Sequence, residues 1–236
     1  AAAAPANGGD AGDADEWAQV GKGRKHKAVV TRQAGTVGHP AMRSPIDAIF
    51  SGATKSVIRC GQAQPSATVE GFMMLHLDID GPVGSVHDAL EHHLTPVTLT
   101  DYKPEGSDKA TSATKNVYLY RLPQVLVLHL KRFQYTGAIV KNHKKVAFDA
   151  VLRLGRAVLG DDCPDAVKGA AEYALIATVS HHGKNAAGGH YTADVQQPDG
   201  RWLRFNDAQV DLVSGDTVLQ EKPYILFYQR VLPQTA

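Results

Sequence analysis

SHHGKNAAGGHYTADVQQPDGRWLRFNDAQV, residues 180–210, contains a strand, a turn and a returning strand. Tyr191-Thr192-Ala193-Asp194-Val195 follows His190, Pro198-Asp199-Gly200 is strong turn chemistry, and Trp202-Leu203-Arg204-Phe205 runs back. In a hairpin the indices of paired residues sum to a constant. A turn centred between 198 and 199 sets that sum near 396 to 398, which puts His190 opposite Asn206, Asp207 or Ala208. Opposed residues have Cβ atoms about 4.5–5.5 Å apart, within reach of an imidazole and a short amide or carboxylate. This is the base and orienter half of a catalytic triad: Asn206 or Asp207 fixes the ring tautomer and leaves the other nitrogen for a nucleophile, an Asn206 amide accepting the Nδ1 proton and leaving Nε2. Asp207, one residue on, tends to the opposite face of the strand unless a bulge re-aims it. Gly188-Gly189 precedes the histidine and offers a backbone without Cβ atoms, which another chain can approach closely.

A strand histidine is most often a hydrogen-bonded structural residue, and only its pairing and the glycines before it point to catalysis. His181, His182 and His190 do not read as a metal site, because adjacent strand residues face opposite ways and no second cluster completes four ligands. No evident nucleophile accompanies the base. Cys163 sits among carboxylates in Asp161-Asp162-Cys163-Pro164-Asp165, which disfavours its thiolate, and Cys60 ends a strand in a different region. Ser180 has the hydroxyl but no strand-to-helix elbow around it.

Working outward, the second half is β-rich. Val125 to Phe133 (VLVLHLKRF) opens as a strand buried on both faces, and Val146 to Leu154, Tyr173 to Val179 and Tyr224 to Val231 read as further strands. In the first half, Ser44-Pro45 caps one helical turn ending at Gly52, and Thr54 to Arg59 and Phe72 to Ile79 each read as one strand. Ser85 and Asp88 form a capping box for a helix from Val86 to Leu94. Residues 101–116 are polar and punctuated by Gly and Pro, and read as a loop, as do 160–171. The class is α+β with a dominant antiparallel sheet.

Residues 1–15 read as a disordered tail or linker, and Lys22 to Lys27 as a solvated basic segment before residues 28–31, the first strand. The 236 residues carry 25 Lys+Arg and 24 Asp+Glu, so charge gives no case for nucleic acid or an anionic membrane as partner. Apolar runs fall far short of the roughly 20 residues of a membrane span. Two cysteines cannot make a disulfide framework or a four-thiolate zinc site, and a reducing intracellular compartment is expected. The chain begins with Ala and has methionines only at 42, 73 and 74, so it reads as processed or as a piece of something longer.

The segments Gly188-Gly189-His190-Tyr191-Thr192-Ala193, Trp202 to Asp207 with Val210, and Tyr224 to Tyr228 resemble the histidine box of the ubiquitin-specific proteases, papain-like cysteine deubiquitinases. Leu122 to Phe133 resembles the strand before that family's substrate-facing palm, and Ile49 to Gly52 and Phe72 to Ile79 its fingers. The likeness covers roughly residues 17–232. It implies a partial catalytic domain, fingers and palm, over 16–232, with His190 as general base, Asn206 as orienting partner and Asp207 supporting the oxyanion or substrate. Gly188, Gly189 and Tyr191 would border a channel for the ubiquitin tail. Ubiquitin and ubiquitinated proteins are the implied partners, in the cytoplasm and also the nucleus. The family's cysteine box is absent from this sequence, as are the zinc-ribbon thiols of many relatives. The resemblance therefore implies no cofactor and no structural zinc, and a nucleophile upstream. The alternative is a non-catalytic ubiquitin-binding module without the cysteine.

Overall fold

The computed structural model describes residues 44–61, 63–104, 106, 108–135, 137–166, 170–185 and 188–232, together with the backbone of 30–34. The proposed tail at 1–15 and the basic run at 22–27 lie outside the described residues. In chain order the elements are β1 (Val30–Ala34), α1 (Pro45–Phe50), β2 (Gly52–Arg59), β3 (Ser66–Phe72), β4 (Leu75–Leu77) and α2 (Val86–His93). Then come β5 (Val97–Tyr102), β6 (Thr111–Arg121), β7 (Val125–Leu130), β8 (Phe133–Tyr135), β9 (Ile139–Lys141) and β10 (Val151–Leu154). The last are β11 (Ala171–His182), β12 (His190–Gln196), β13 (Trp202–Asn206), β14 (Gln209–Val213), α3 (Gly215–Leu219) and β15 (Pro223–Val231).

Both foreseen helix starts form as their chemistry requires. Ser44 and Ser85 each accept from the backbone N–H three residues on, and Asp47 and Asp88 reach back to the cap. Each such cap is worth about 1 kcal/mol. Gly52 does not stop α1 by its conformation. It opens β2 where a Cβ would lie 2.9 Å from Pro123 Cδ and against the Phe72 ring.

Two large sheets and the small β8-β9 pair hold the described strands. The five-stranded sheet has the order β1-β3-β2-β6-β5, and the eight-stranded sheet the order β14-β13-β12-β11-β15-β7-β4 with β10 joined to β11. Pairing is antiparallel except for β1 with β3 and β4 with β7. One face of the larger sheet packs Leu126, Leu128, Leu226, Tyr228, Tyr173 and Leu175 against Val86, Ala89 and Leu90 of α2 and the 146–159 segment. The other face carries Phe205, Val210 and Leu212, all exposed.

The structure corrects several expectations. Phe72 to Ile79 is not one strand: β3 ends at Phe72, the chain bends at Met73-Met74, and β4 enters the other sheet. The shared alternation hid a change of sheet. Half of residues 101–116 is strand, since β5 extends to Tyr102 and β6 begins at Thr111. β5 is an edge strand of the five-stranded sheet and is exposed on both faces, so no apolar half marks it, and β6, paired between β2 and β5, opens with the polar run Thr111 to Asn116. Of Val146 to Leu154 only β10 is strand; Val146 and Phe148 are buried on irregular backbone.

Candidate active site

β12 and β13 pair from Gln196↔Trp202 to Ala193↔Phe205, an index sum of 398, the upper limit of the sequence reading. Asn206 pairs with Gln209 on β14 across the two-residue turn Asp207-Ala208. That places Asn206 level with Thr192, so it reaches His190 diagonally along one sheet face. The contact is made: Asn206 Oδ1 bonds His190 Nε2. The expected ring nitrogen is therefore the wrong one. The amide lies beyond the imidazole's far end, and Nδ1, nearer the backbone, is left free of it. Asp207 Oδ2 stands 3.9 Å from Nδ1, and 41% of the His190 side chain is exposed.

Asp207 does not sit on the opposite strand face. It is the first turn residue, with φ 52°, the only described non-glycine residue in the left-handed region. Such a backbone suits two-residue hairpins, and aspartate tolerates it better than most side chains. Its carboxylate is 84% exposed and too far from Nδ1 for a hydrogen bond, so solvent screens the attraction.

The two glycines before His190 differ. Gly188 has open space where a Cβ would be. Gly189 is filled by the protein itself: a Cβ there would lie 2.6 Å from the His182 carbonyl and 2.7 Å from His181 Cε1. Only Gly188 leaves the open backbone that the sequence suggested for both. Lys141 Nζ donates to the carbonyls of His181 at 2.8 Å and Gly183 at 2.9 Å, fixing the start of this loop.

Beside the hairpin lies an aromatic cluster that the sequence analysis missed, apart from Tyr191. Tyr191 packs on His181 with ring centroids 4.8 Å apart, His181 on Phe133 at 5.2 Å, and Phe133 on Tyr224 at 5.5 Å. Tyr224 also meets His129 at 4.6 Å, whose Nδ1 contacts His76 Nδ1 at 2.8 Å. Tyr224 joins the group because it is the extra residue of a bulge, where Val179↔Ile225 is followed by Ser180↔Pro223. His182 faces away from His181 and bonds Thr192 Oγ1 at 2.8 Å, as adjacent strand positions require. Among the described residues no three His, Cys, Asp or Glu are placed to hold a metal ion.

Neither cysteine joins the hairpin. Cys163 is buried, and burial, with Asp165 adding to it, pushes its thiol up despite opposing backbone hydrogen bonds and Arg230. Cys60 is buried at the end of β2 in the other sheet. Ser180 Oγ is buried without a hydrogen-bond partner, which suits no nucleophile.

Burial holds His129, His93 and His181 below the ordinary histidine value of 6.5. His76 and Lys131 add to this at His129; Lys131, His76 and His92 at His93; and Lys141, His182 and His143 at His181. Folding thus favours their neutral forms. The stability this contributes is complete above 6.5 and is lost as pH falls toward the lower folded values, because the unfolded chain protonates first. Thermal unfolding should show Tm a few degrees lower at about pH 5.5 than at about pH 7.5. His129→Gln should flatten that slope; an unchanged slope in the variant would contradict the assignment.

This strand-borne histidine and amide lie together on a mixed but mostly antiparallel sheet with few helices. The family model "Ubiquitin carboxyl-terminal hydrolase" matches residues 24–228. The chain belongs to that family. It is 37% identical to ubiquitin carboxyl-terminal hydrolase 24 of Arabidopsis thaliana, over 93% of this chain and 38% of that protein. It is 38% identical to probable ubiquitin carboxyl-terminal hydrolase 3 of Schizosaccharomyces pombe, over 92% of this chain and 44% of that protein. With ubiquitin carboxyl-terminal hydrolase 10 of Rattus norvegicus it shares 37% identity, over 93% of this chain and 28% of that protein. The chain therefore spans less than half the length of these relatives. Among solved structures, the SAGA Ubp8/Sgf11/Sus1/Sgf73 DUB module bound to ubiquitin aldehyde matches with TM-score 0.72 and 29% identity, over 82% of this chain and 44% of that one.

Proposed function

We propose that the protein is a deubiquitinase, hydrolysing isopeptide and peptide bonds after the C-terminal glycine of ubiquitin by thiol chemistry. The observation that carries this is the His190–Asn206 pair, which ties up Nε2 and leaves Nδ1 of a partly exposed ring free of the amide. In this reading Nδ1 takes the proton of a thiol outside these 236 residues, and the thiolate attacks the carbonyl carbon of the ubiquitin glycine. The imidazolium then gives its proton to the departing lysine amine, and water, activated by the same ring, cleaves the thioester. Asn206 keeps the ring oriented through both transfers. Asp207, exposed at the mouth, supports the oxyanion or the substrate. Gly188, Gly189 and Tyr191 border the channel for the ubiquitin tail, with the Phe133, His181 and Tyr224 rings beside it. Buried, unpaired Cys60 and Cys163 fit a reducing cytoplasmic or nuclear compartment.

The test uses this chain and the full-length protein side by side. The chain alone should bind ubiquitin, fail to hydrolyse a ubiquitin-amide reporter and resist ubiquitin vinyl sulfone, while the full-length protein is labelled. Turnover by the chain that Cys60→Ser or Cys163→Ser abolishes would overturn the external thiol. A full-length protein that binds ubiquitin yet is never labelled would instead be a non-catalytic binding module.

A further inference from the structure

We propose that Arg204 and Asp194 are positioning residues for the His190–Asn206 pair, their ionic fork fixing the separation of β12 and β13 where the base meets its partner. The inference rests on the proposed function and deepens it. Asp194 and Arg204 are directly opposed in the hairpin, and the guanidinium grips the carboxylate with both arms, Nε to Oδ1 at 2.7 Å and Nη2 to Oδ2 at 2.9 Å. By strand parity they lie on the face that carries His190 and Asn206. Backbone pairing between the strands ends one position further, at Ala193↔Phe205. Beyond it β13 turns away through Asp207, and β12 continues paired only to β11. The ladder does not hold Asn206 at its distance from His190. The nearest side-chain restraint joining β12 to β13 on that face is the fork, since the closer His182–Thr192 bond ties β12 to β11.

Asp194 is 1% exposed and Arg204 21%, so the carboxylate is buried and its charge cannot lose the partly buried guanidinium without cost. Arg204 Nη2 also reaches Glu221 Oε1 at 2.7 Å, between α3 and β15. Asp194 and Glu221 together hold the guanidinium firmly in its charged form. Two residues after Glu221, the carbonyl of Pro223 accepts from the buried Arg132 Nε at 2.7 Å, and Tyr224 follows into the aromatic cluster. One guanidinium thereby joins the hairpin bearing the base to the strand start bearing the cluster. Lysine keeps the charge but not the planar fork, so Arg204→Lys tests geometry rather than electrostatics.

The expected result has two parts. In the full-length protein, Arg204→Lys lowers kcat about tenfold or more on a ubiquitin-amide reporter and leaves KM within about twofold, the mark of a misplaced base. In the present chain, NMR shows the His190 ring N–H, bonded to Asn206, losing its protection from exchange, while the amides of Leu126, Leu128 and Leu226 keep theirs. Asp194→Asn, isosteric but uncharged, is the second variant if the first does not fold. Wild-type kcat with a protected ring N–H in a folded variant overturns the proposal. Equal loss of protection in core and ring also overturns it, because the pair is then merely structural. His190→Ala in the same assay tests the underlying reading separately. Turnover surviving there would sink the site assignment, and the ring N–H comparison would still decide the fork.

Discussion

His190→Ala abolishes turnover in the full-length protein, a fall on the order of a thousandfold or more, if the imidazole both accepts the thiol proton and returns it to the leaving amine. Asn206→Ala should cost less, roughly ten- to a hundredfold, since an unoriented ring still reaches the thiol part of the time. The structure refines this expectation. Asn206 holds Nε2, so its loss frees the ring to flip and present either nitrogen, with Asp207 too distant and exposed to substitute. Asp207→Ala should be the mildest of the three, because its carboxylate makes no hydrogen bond to the ring. Ubiquitin affinity should change little in any of them, as each side chain acts mainly on the transition state. Turnover and ubiquitin binding measured together on the three variants check this. Wild-type turnover in His190→Ala would make the hairpin structural.

That hairpin was legible because its turn announces itself. Pro198-Asp199-Gly200 fixes the register, and a period of two then puts residues 190, 192 and 194 on one face with 202, 204 and 206. The helix caps at Ser44 and Ser85 were legible for the same reason: the side chain that makes the bond is also the one that signals it. What stayed hidden depends on contacts distant in sequence. Tyr224 enters the aromatic cluster through a bulge, and a second bulge between Leu175 and Ala177 rephases β11 so that Thr178 and Ser180 become the buried positions. Neither shift has a local marker, since nothing in Ala174-Leu175-Ile176-Ala177 says which residue goes unpaired. The edge strand β5 is hidden by its exposure, and the start of β6 by its polar composition. Which ring nitrogen meets Asn206 is not legible in the sequence, because the chain turns at Asp207 before His190 acquires a direct partner and the amide reaches the ring diagonally.

Gly189→Ala should be the most damaging small substitution in the molecule's site, and Gly188→Ala, one residue away, should be nearly silent. A methyl at 189 would meet the His181 ring and the His182 carbonyl at 2.6 Å, closer than real Cβ contacts come. Neither neighbour yields easily. His181 is packed between Phe133 and Tyr191, and its carbonyl is gripped by Lys141, while the His182 carbonyl belongs to a paired strand. The relief left is movement of residue 189 itself, which carries His190 with it. Because His190 sits at the end of β12, where pairing to β13 has already stopped, a shift of even about 1 Å there separates the imidazole from its target and costs on the order of a hundredfold in turnover. The global fold should lose only about 1–3 kcal/mol, because the clash lies at a strand end outside the main core. A Cβ at 188 meets nothing within 4 Å, so Gly188→Ala should keep near-wild-type turnover unless the ubiquitin tail itself occupies that space, in which case KM rises while kcat holds. Steady-state kinetics with urea unfolding of both variants separates these outcomes. Equal activity for the two would mean that the loop before His190 relaxes freely and does not position the base.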